Sequence, residues 1–294
     1  MAINVVDQYG FDPTGAADNA AQFTAMVADI SNRLNRRSMP RFVFPEGQYQ
    51  YSACPNLAFH NLEIAGEGQC EWHYTGSGTA LTFDGISTGP GGGGKFNMWV
   101  DGIRVVPTDA AADTVVINSV HHSYFRIRAY GAGAPRGGNP CKAIALYWCV
   151  CTELQNPTVT AFDAGYGMCG GGSYDCVGIW LDHVTQPSVW QTTDCRFLNP
   201  IIEGVRVGIQ LQDAGGCMFS GGTVESCTDT GINMVAGGQN RAWGLWLENN
   251  TNHDIVFGSG AKNNDFAVSH PSPLHVQNNA PLANNEAHGI GLFG

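Results

Sequence analysis

The chain has 294 residues, 43% hydrophobic and only 13% charged, enough apolar material for a large core and too much for wholesale disorder. Its 39 glycines are roughly twice the ordinary share, so the backbone turns often, as turn-rich β structure requires. A formal charge of −11 argues against nucleic acid as a partner, because counterion release needs a Lys/Arg surface, and leaves room only for a local basic patch.

The first thirty residues contain no Lys or Arg and no apolar h-region, and Asp7, Asp12 and Asp18 interrupt them. No secretory signal is expected there. No apolar run is long enough to cross a bilayer, so membrane insertion is not expected either. Within residues 18–34, Phe23, Met26, Val27, Ile30 and Leu34 form one stripe of an amphipathic helix. Residues 1–40 are read as a capping segment built on this helix, which covers the open end of the strand-rich region after it.

From residue 41 to 265 the sequence falls into short apolar runs of period two, separated by Gly, Pro, Asn and Asp. One phrase recurs as Thr114-Val115-Val116-Ile117, Ala143-Ile144-Ala145-Leu146, Gly178-Ile179-Trp180-Leu181, Gly208-Ile209-Gln210-Leu211 and Gly244-Leu245-Trp246-Leu247. Gly231-Ile232-Asn233-Met234 reads as an extra copy. A second phrase falls between the copies, at Phe125-Arg126-Ile127, 154–159, 192–197, 219–224 and Ile255-Val256-Phe257. Each repeat holds at least two strands and cannot bury its apolar face alone, so neighbours must stack. A near-30-residue period of strands without helices describes a parallel β-helix. The competing antiparallel sandwich would not explain a fixed phrase. Residues 266–294, rich in Asn and Pro, are read as a tail serving capping or assembly.

Ten cysteines without a C-x-x-C pair fit neither a disulfide scaffold nor a zinc site and are expected as buried thiols, with Cys149 and Cys151 on one face of a strand. The nine histidines show no ligand spacing, and His121 and His122 point to opposite faces. No phosphate-binding Gly loop precedes a helix. Neither a metal nor a cofactor is expected.

The opening Ile3-Asn4-Val5-Val6-Asp7-Gln8-Tyr9-Gly10, the acidic stretch from Asp12 to Asp18 and the helix after it carry a resemblance, as do Phe42-Val43-Phe44-Pro45-Glu46-Gly47-Gln48-Tyr49 and Leu62-Glu63-Ile64-Ala65-Gly66-Glu67-Gly68. Together they resemble the pectate-lyase-like superfamily, which implies an all-β, right-handed, single-stranded parallel β-helix with an N-terminal capping α-helix. The superfamily includes pectate lyases, polygalacturonases, epimerases and bacteriophage tailspikes. Polygalacturonase chemistry would imply Asn-Thr-Asp, paired-Asp and Gly-His-Gly motifs, whereas this chain has only Thr192-Thr193-Asp194, no Asp-Asp pair, and His288-Gly289 far from the rungs. A lyase's calcium-binding Asp residues and catalytic Arg find no match. The tailspike-type branch fits best. It implies a phage or phage-derived spike or fibre protein of a virion, made in the host cytoplasm. Such a protein would be a homotrimer that binds a bacterial surface polysaccharide beside other virion proteins, with degradation of that polysaccharide left open. A structural virion component without glycan activity, and a polysaccharide lyase or hydrolase unconnected with a phage, stand as alternatives.

If the apolar residues of the repeated phrase face the core, an outward column runs through Val116 and Asn118, Ala145 and Tyr147, Trp180 and Asp182, Gln210 and Gln212, and Trp246 and Glu248. Tyr147, Trp180, Gln210, Gln212 and Trp246 offer the rings and amides that stack on and hydrogen-bond sugars. A solvated face or a subunit contact is the plainer reading. Asp182 and Glu248, two rungs of about 4.8 Å apart, would sit near the upper spacing for an inverting acid–base pair. Asp194, Glu203, Asp213 and Glu225 are rivals, with Glu225 read as a rung corner, and elimination by a base is the alternative chemistry. The Gly-rich insertions at 131–140 and 164–173, with Tyr130, Arg136, Tyr166 and Tyr174, could wall a groove on one edge.

Overall fold

A computed structural model describes residues 2–33, 39–53, 55–86, 94–107, 112–131, 140–160, 176–183, 191–270, 273–280 and 284–291. Every strand pairing among them is parallel, and the chain is a right-handed parallel β-helix. One sheet carries the repeated phrase through Leu81–Asp84, Val115–Asn118, Cys141–Tyr147, Cys176–Asp182, Val207–Leu211, Thr230–Gly238, His253–Lys262 and Val276–Asn278. This repeat sheet faces a second one, which begins at Ala2–Asn4 and passes through Arg41–Phe44, Glu63–Tyr74, Trp99–Val106 and Tyr124–Tyr130. There it splits into two legs. Glu153–Gln155, Arg196–Leu198 and Met218–Ser220 form one; Thr158–Thr160, Ile201–Glu203 and Thr223–Glu225 form the other. The legs rejoin in Arg241–Glu248, and Asp265–His270 and Glu286–Gly291 come after it.

The register is fixed by the buried column Val115, Ile144, Ile179, Ile209, Ile232 and Ile255, each residue directly over the last. A one-residue slip would turn every one of them to solvent. The column also corrects the reading of the repeat. Gly231 to Met234 is the regular next copy, because Ile232 pairs with Ile209. Gly244 to Leu247 lies instead on the split sheet, where Trp246 pairs with Thr223. Ile255 to Phe257, assigned to the second phrase, belongs to the repeat sheet. Both sheets are written in the same alternation of apolar and polar residues, and the rungs shorten after Ile209, so a fixed period of about 30 residues overshoots one side of the helix.

Nine strands of the split sheet are entered through the same corner. Asn61, Asn97, His122, Cys151, Asp194, Gly216, Gln239, Asn263 and Asn284 stand two residues before successive strands, all with φ between 48° and 67°. Most are non-glycine residues in the left-handed region, which costs energy unless something over-determines it. The next residue supplies that constraint by pointing inward. Ser123 Oγ accepts from the Met98 N–H at 2.9 Å, Asn240 Oδ1 from the Cys217 N–H at 3.0 Å, and Asn264 Oδ1 from the Asn240 N–H at 3.0 Å. Asn285 Oδ1 accepts from the Asn264 N–H at 3.2 Å. Each buried side chain thus satisfies a backbone donor of the preceding rung, which would otherwise be orphaned.

This corner also sorts the cysteines and histidines. Cys149, Cys195 and Cys217 are buried, whereas Cys151 is a corner residue and exposed, so Cys149 and Cys151 do not share a face. His121 is buried and His122, at its corner, exposed. Asp194 of the Thr-Thr-Asp sequence is likewise a corner, just after the short strand Thr192–Thr193.

At the N-terminal end the helix Ala20–Arg33 buries Phe23, Met26 and Ile30, with Val27 packed beside them. Phe23 meets Phe11 and Trp72 at 4.9 Å between ring centroids and closes over the first rungs. Leu34 lies outside the described residues. The rungs also run past residue 265, since Val276–Asn278 and Glu286–Gly291 extend both sheets into the segment expected as a tail. Among the described residues no helix is long and apolar enough to cross a membrane.

Removing the Asn264 side chain strands the Asn240 N–H and breaks the link to Asn285. Asn264→Ala is therefore expected to destabilise the chain by about 3 kcal/mol in denaturant unfolding. A loss below about 0.5 kcal/mol would show that the buried amides do not hold the corners.

Candidate functional site

Five of the seven candidate residues come together on the outer face of the repeat sheet. Trp180 pairs with Gln210 on the next rung, and Tyr147 with Asp182. Gln212 joins them through the Gln210 amide, which donates to Gln212 Oε1 at 3.0 Å. All five are half-buried, while Ala145, in register with Trp180, is buried. Trp180 Nε1 donates to Asp182 Oδ2 at 3.2 Å, and Lys142 Nζ lies 5.0 Å from the Trp180 ring centroid. The ring is thereby pinned on the sheet with a cation beside it.

Three residues that sequence reasoning missed, Lys142, His183 and Gln191, complete this face. His183 Nδ1 lies 2.9 Å from Asp182 Oδ1 and 3.3 Å from Asp213 Oδ2, and the Gln191 amide donates to Asp213 Oδ1 at 2.5 Å. Lys142 was legible only as a polar residue between apolar ones, and His183 only as the neighbour of Asp182. Burial raises the pKa of the Tyr147 hydroxyl, and the nearby charges of Asp113 and Asp182 add to the rise. The phenol therefore stays protonated and serves as a hydrogen-bond donor. The Gly-rich insertions, apart from Gly131 and Pro140, lie outside the described residues, as do Arg136, Tyr166 and Tyr174.

Trp246 and Glu248 sit elsewhere. They repeat the local geometry of Trp180 and Asp182, with Trp246 Nε1 donating to Glu248 Oε2 at 2.9 Å, but on the split sheet. The expected two-rung spacing between Asp182 and Glu248 therefore does not hold. Glu248 has different company: Glu203, Glu225 and Glu248 stand in register on three consecutive rungs. Adjacent members are about 4.8 Å apart along the stack. The Glu225 carboxyl is held above the usual range by burial first, then by the charges of Glu203 and Glu248 and a hydrogen bond to Glu203. Stacked acidic side chains that hold a proton more tightly than an isolated carboxyl are an arrangement suited to proton transfer. Among the described residues no group of three or more His, Cys, Asp or Glu is disposed to hold a metal ion.

No family model matches the sequence, and no curated protein matches it. Solved structures do share the fold. ORF18 of Geobacillus virus E2 superimposes with a TM-score of 0.70 at 12% identity, covering 99% of this chain and 60% of its own length. PfbA, a surface adhesin of Streptococcus pneumoniae, gives 0.56 at 11% identity, covering 96% and 80%. The A-module of the mannuronan C-5 epimerase AlgE6 of Azotobacter vinelandii gives 0.51 at 10% identity, covering 98% and 92%. The chain spans about three fifths of the Geobacillus virus protein. At these identities the likeness is one of fold, the right-handed parallel β-helix.

Folded chains hold the Glu225 proton more tightly than unfolded ones, so its ionisation weakens the fold as pH rises above the ordinary carboxylate range. Glu225→Gln is expected to melt at a higher temperature than wild type at pH 8, with the difference gone below pH 4. A constant difference across that range would contradict the upward shift of the Glu225 carboxyl.

Proposed function

We propose that this right-handed parallel β-helix is a phage or phage-derived spike or fibre protein that binds a bacterial surface polysaccharide on the outer face of its repeat sheet. The observation that carries the reading is the grouping of Trp180, Asp182, Tyr147, Gln210 and Gln212 on consecutive rungs of one rigid sheet. An indole face stacks on the apolar side of a pyranose, and the flanking amides, carboxylate and phenol match its hydroxyls. A long chain of sugars suits such a surface because the repeat sheet continues in register beyond it. The virion setting rests on the resemblance of the N-terminal motifs to the pectate-lyase-like superfamily, in which the tailspike-type branch fits best because the polygalacturonase and lyase motifs are unmatched, and the fold shared with a Geobacillus virus protein is in keeping with it.

The same reading includes assembly. The tailspike resemblance implies a homotrimer, whose subunit contacts would stabilise a solenoid in which each rung touches only its neighbours. Light scattering is expected to give three times the chain mass, and a stable monomer at micromolar concentration would overturn the trimer.

Catalysis is a second reading, favoured by the glutamate column. In-register carboxylates about 5 Å apart have the spacing of a retaining glycosidase, with Trp246 beside them as a platform. Polysaccharide cleavage would then release new reducing ends without the near-ultraviolet absorbance of an unsaturated sugar, and Glu225→Gln would abolish it while leaving binding intact.

Binding is tested with a panel of purified bacterial capsular polysaccharides and lipopolysaccharide O-chains. Trp180→Ala is expected to weaken the tightest of them by about tenfold or more, the cost of one aromatic anchor. Affinity unchanged in Trp180→Ala and in Gln210→Ala would remove this face from the account.

A further inference from the structure

The second sheet carries a feature that the repeat-sheet site does not use. Where Glu63–Tyr74, Trp99–Val106 and Tyr124–Tyr130 stack, the ladder buckles: Ala65 pairs with Asp101 but Cys70 with Ile103, leaving residues 66–69 and Gly102 out of register. Gly102 adopts φ +73°, and a Cβ placed on it would come within 2.5 Å of the Gly66 carbonyl oxygen, so glycine alone fits. The buckle opens a cavity of about 580 Å³ whose lining includes Gly66, Gly102, Arg104, Arg126, Arg128 and Asn156.

Three arginines share this cavity, and among the described residues only two of them have a counter-ion. Glu71, Arg104 and Arg128 are successive members of one register column. Glu71 Oε1 lies 2.5 Å from Arg104 Nη1, and Arg126 makes a two-pronged pair with Asp101. The Arg128 guanidinium has no ion pair among the described residues, yet it stands directly across from Arg104. Like charges directly opposite on neighbouring strands are unfavourable on their own. Burial disfavours the Glu71 anion, but hydrogen bonds from Gln69, His73 and Arg104 outweigh this and bring its pKa down to about 2. Glu71 is therefore fully committed as an anion to Arg104 and has no second charge to offer Arg128.

An aromatic platform adjoins the cavity. Trp99 stacks on Tyr124 with centroids 4.0 Å apart and planes 20° from parallel, and Trp99 remains 48% exposed. Tyr124 precedes Arg126 by two residues and Arg128 by four, so ring and guanidinium groups point outward along one strand, with Arg128 roughly 14 Å from the aromatic pair. A glycan chain lying along the strand spans that distance, with one sugar on the rings and a later one at Arg128.

We propose that Trp99 and Tyr124 with Arg128, set by Arg104 and Arg126, form a subsite for an acidic glycan chain: one pyranose lies against the Trp99 indole, and the carboxylate or sulfate ester of a later sugar of the same chain pairs with the Arg128 guanidinium. This deepens the glycan-binding reading, on which it rests, by making the polysaccharide anionic. On a chain of net charge −11 an anionic ligand is repelled in general, and a localised unpaired arginine gives it one place to dock.

The test measures binding of three hexasaccharides by calorimetry: a hexa-uronate, the same hexamer with carboxyls reduced to alcohols, and a sulfated hexamer. The subsite predicts that an anionic hexamer binds and the reduced one binds at least tenfold more weakly, as expected for a lost charge-assisted pair. Which anionic hexamer binds more tightly distinguishes carboxylate from sulfate. Arg128→Gln and Trp99→Ala should each weaken it by about tenfold, and Arg128→Lys should recover only part, since it keeps charge but loses the fork. Unchanged melting temperatures establish that the exposed substitutions leave the fold intact. Equal binding of the reduced hexamer, or affinity unaffected by both variants, would overturn the subsite. Loss in Trp180→Ala alone would overturn it while sparing the repeat-sheet reading. Arg128-dependent binding of a uronate, with no bacterial polysaccharide bound, would keep the subsite and overturn that reading instead.

Discussion

Everything on the surface of this molecule depends on how one rung hands its backbone to the next at the corner before the split sheet. A left-handed residue turns the chain, the residue after it points inward, and at Ser123, Asn240, Asn264 and Asn285 that residue takes a backbone N–H of the rung before. Because a buried N–H without a partner is costly, the corner can sit in only one register. With the corner locked, outward residues line up rung after rung at about 4.8 Å, and columns of like or complementary groups become unavoidable. The Glu203, Glu225 and Glu248 column and the Glu71, Arg104 and Arg128 column are both products of that geometry, and their perturbed charges arise from it.

Fold class was legible because burial in a solenoid repeats: Ile144, Ile179 and Ile209 must occur at near-regular intervals to stack. The helix was legible for the same reason, with Phe23, Met26 and Ile30 a turn apart. Which sheet a strand belongs to was not legible. Trp180-Leu181-Asp182 and Trp246-Leu247-Glu248 are locally alike, down to the indole bonded to the acid two residues on, yet they face different directions. Period-two alternation records that a residue is outside, and says nothing of which side. The corner sequences carry the missing information: Gln239-Asn240 and Asn263-Asn264 each announce a split-sheet strand, which would have placed Trp246 correctly. Lys142, His183 and the arginine cavity were hidden for a different reason, since each gains its meaning from partners on other rungs, as Trp99 does from Tyr124.

The two outer faces divide the chemistry between them. The repeat sheet offers an indole, a phenol and amides with Lys142 and the carboxylates of Asp182 and Asp213, a polar surface suited to sugar hydroxyls. The split sheet stacks its charges in columns, with glutamates toward its later rungs and the arginine cavity with its Trp99 and Tyr124 platform toward the earlier ones. Rigidity lets such sites work without large rearrangement, because the side chains are already spaced by the backbone and a ligand does not have to order them.

Amide hydrogen exchange with and without the tightest-binding bacterial polysaccharide tests the central claim that the stacked rungs themselves are the binding surface. The account predicts slowed exchange in Cys141–Tyr147, Cys176–Asp182 and Val207–Leu211, spread over neighbouring rungs because the ladder links them. No change in any of these strands, with protection confined to segments away from both outer faces, would contradict it.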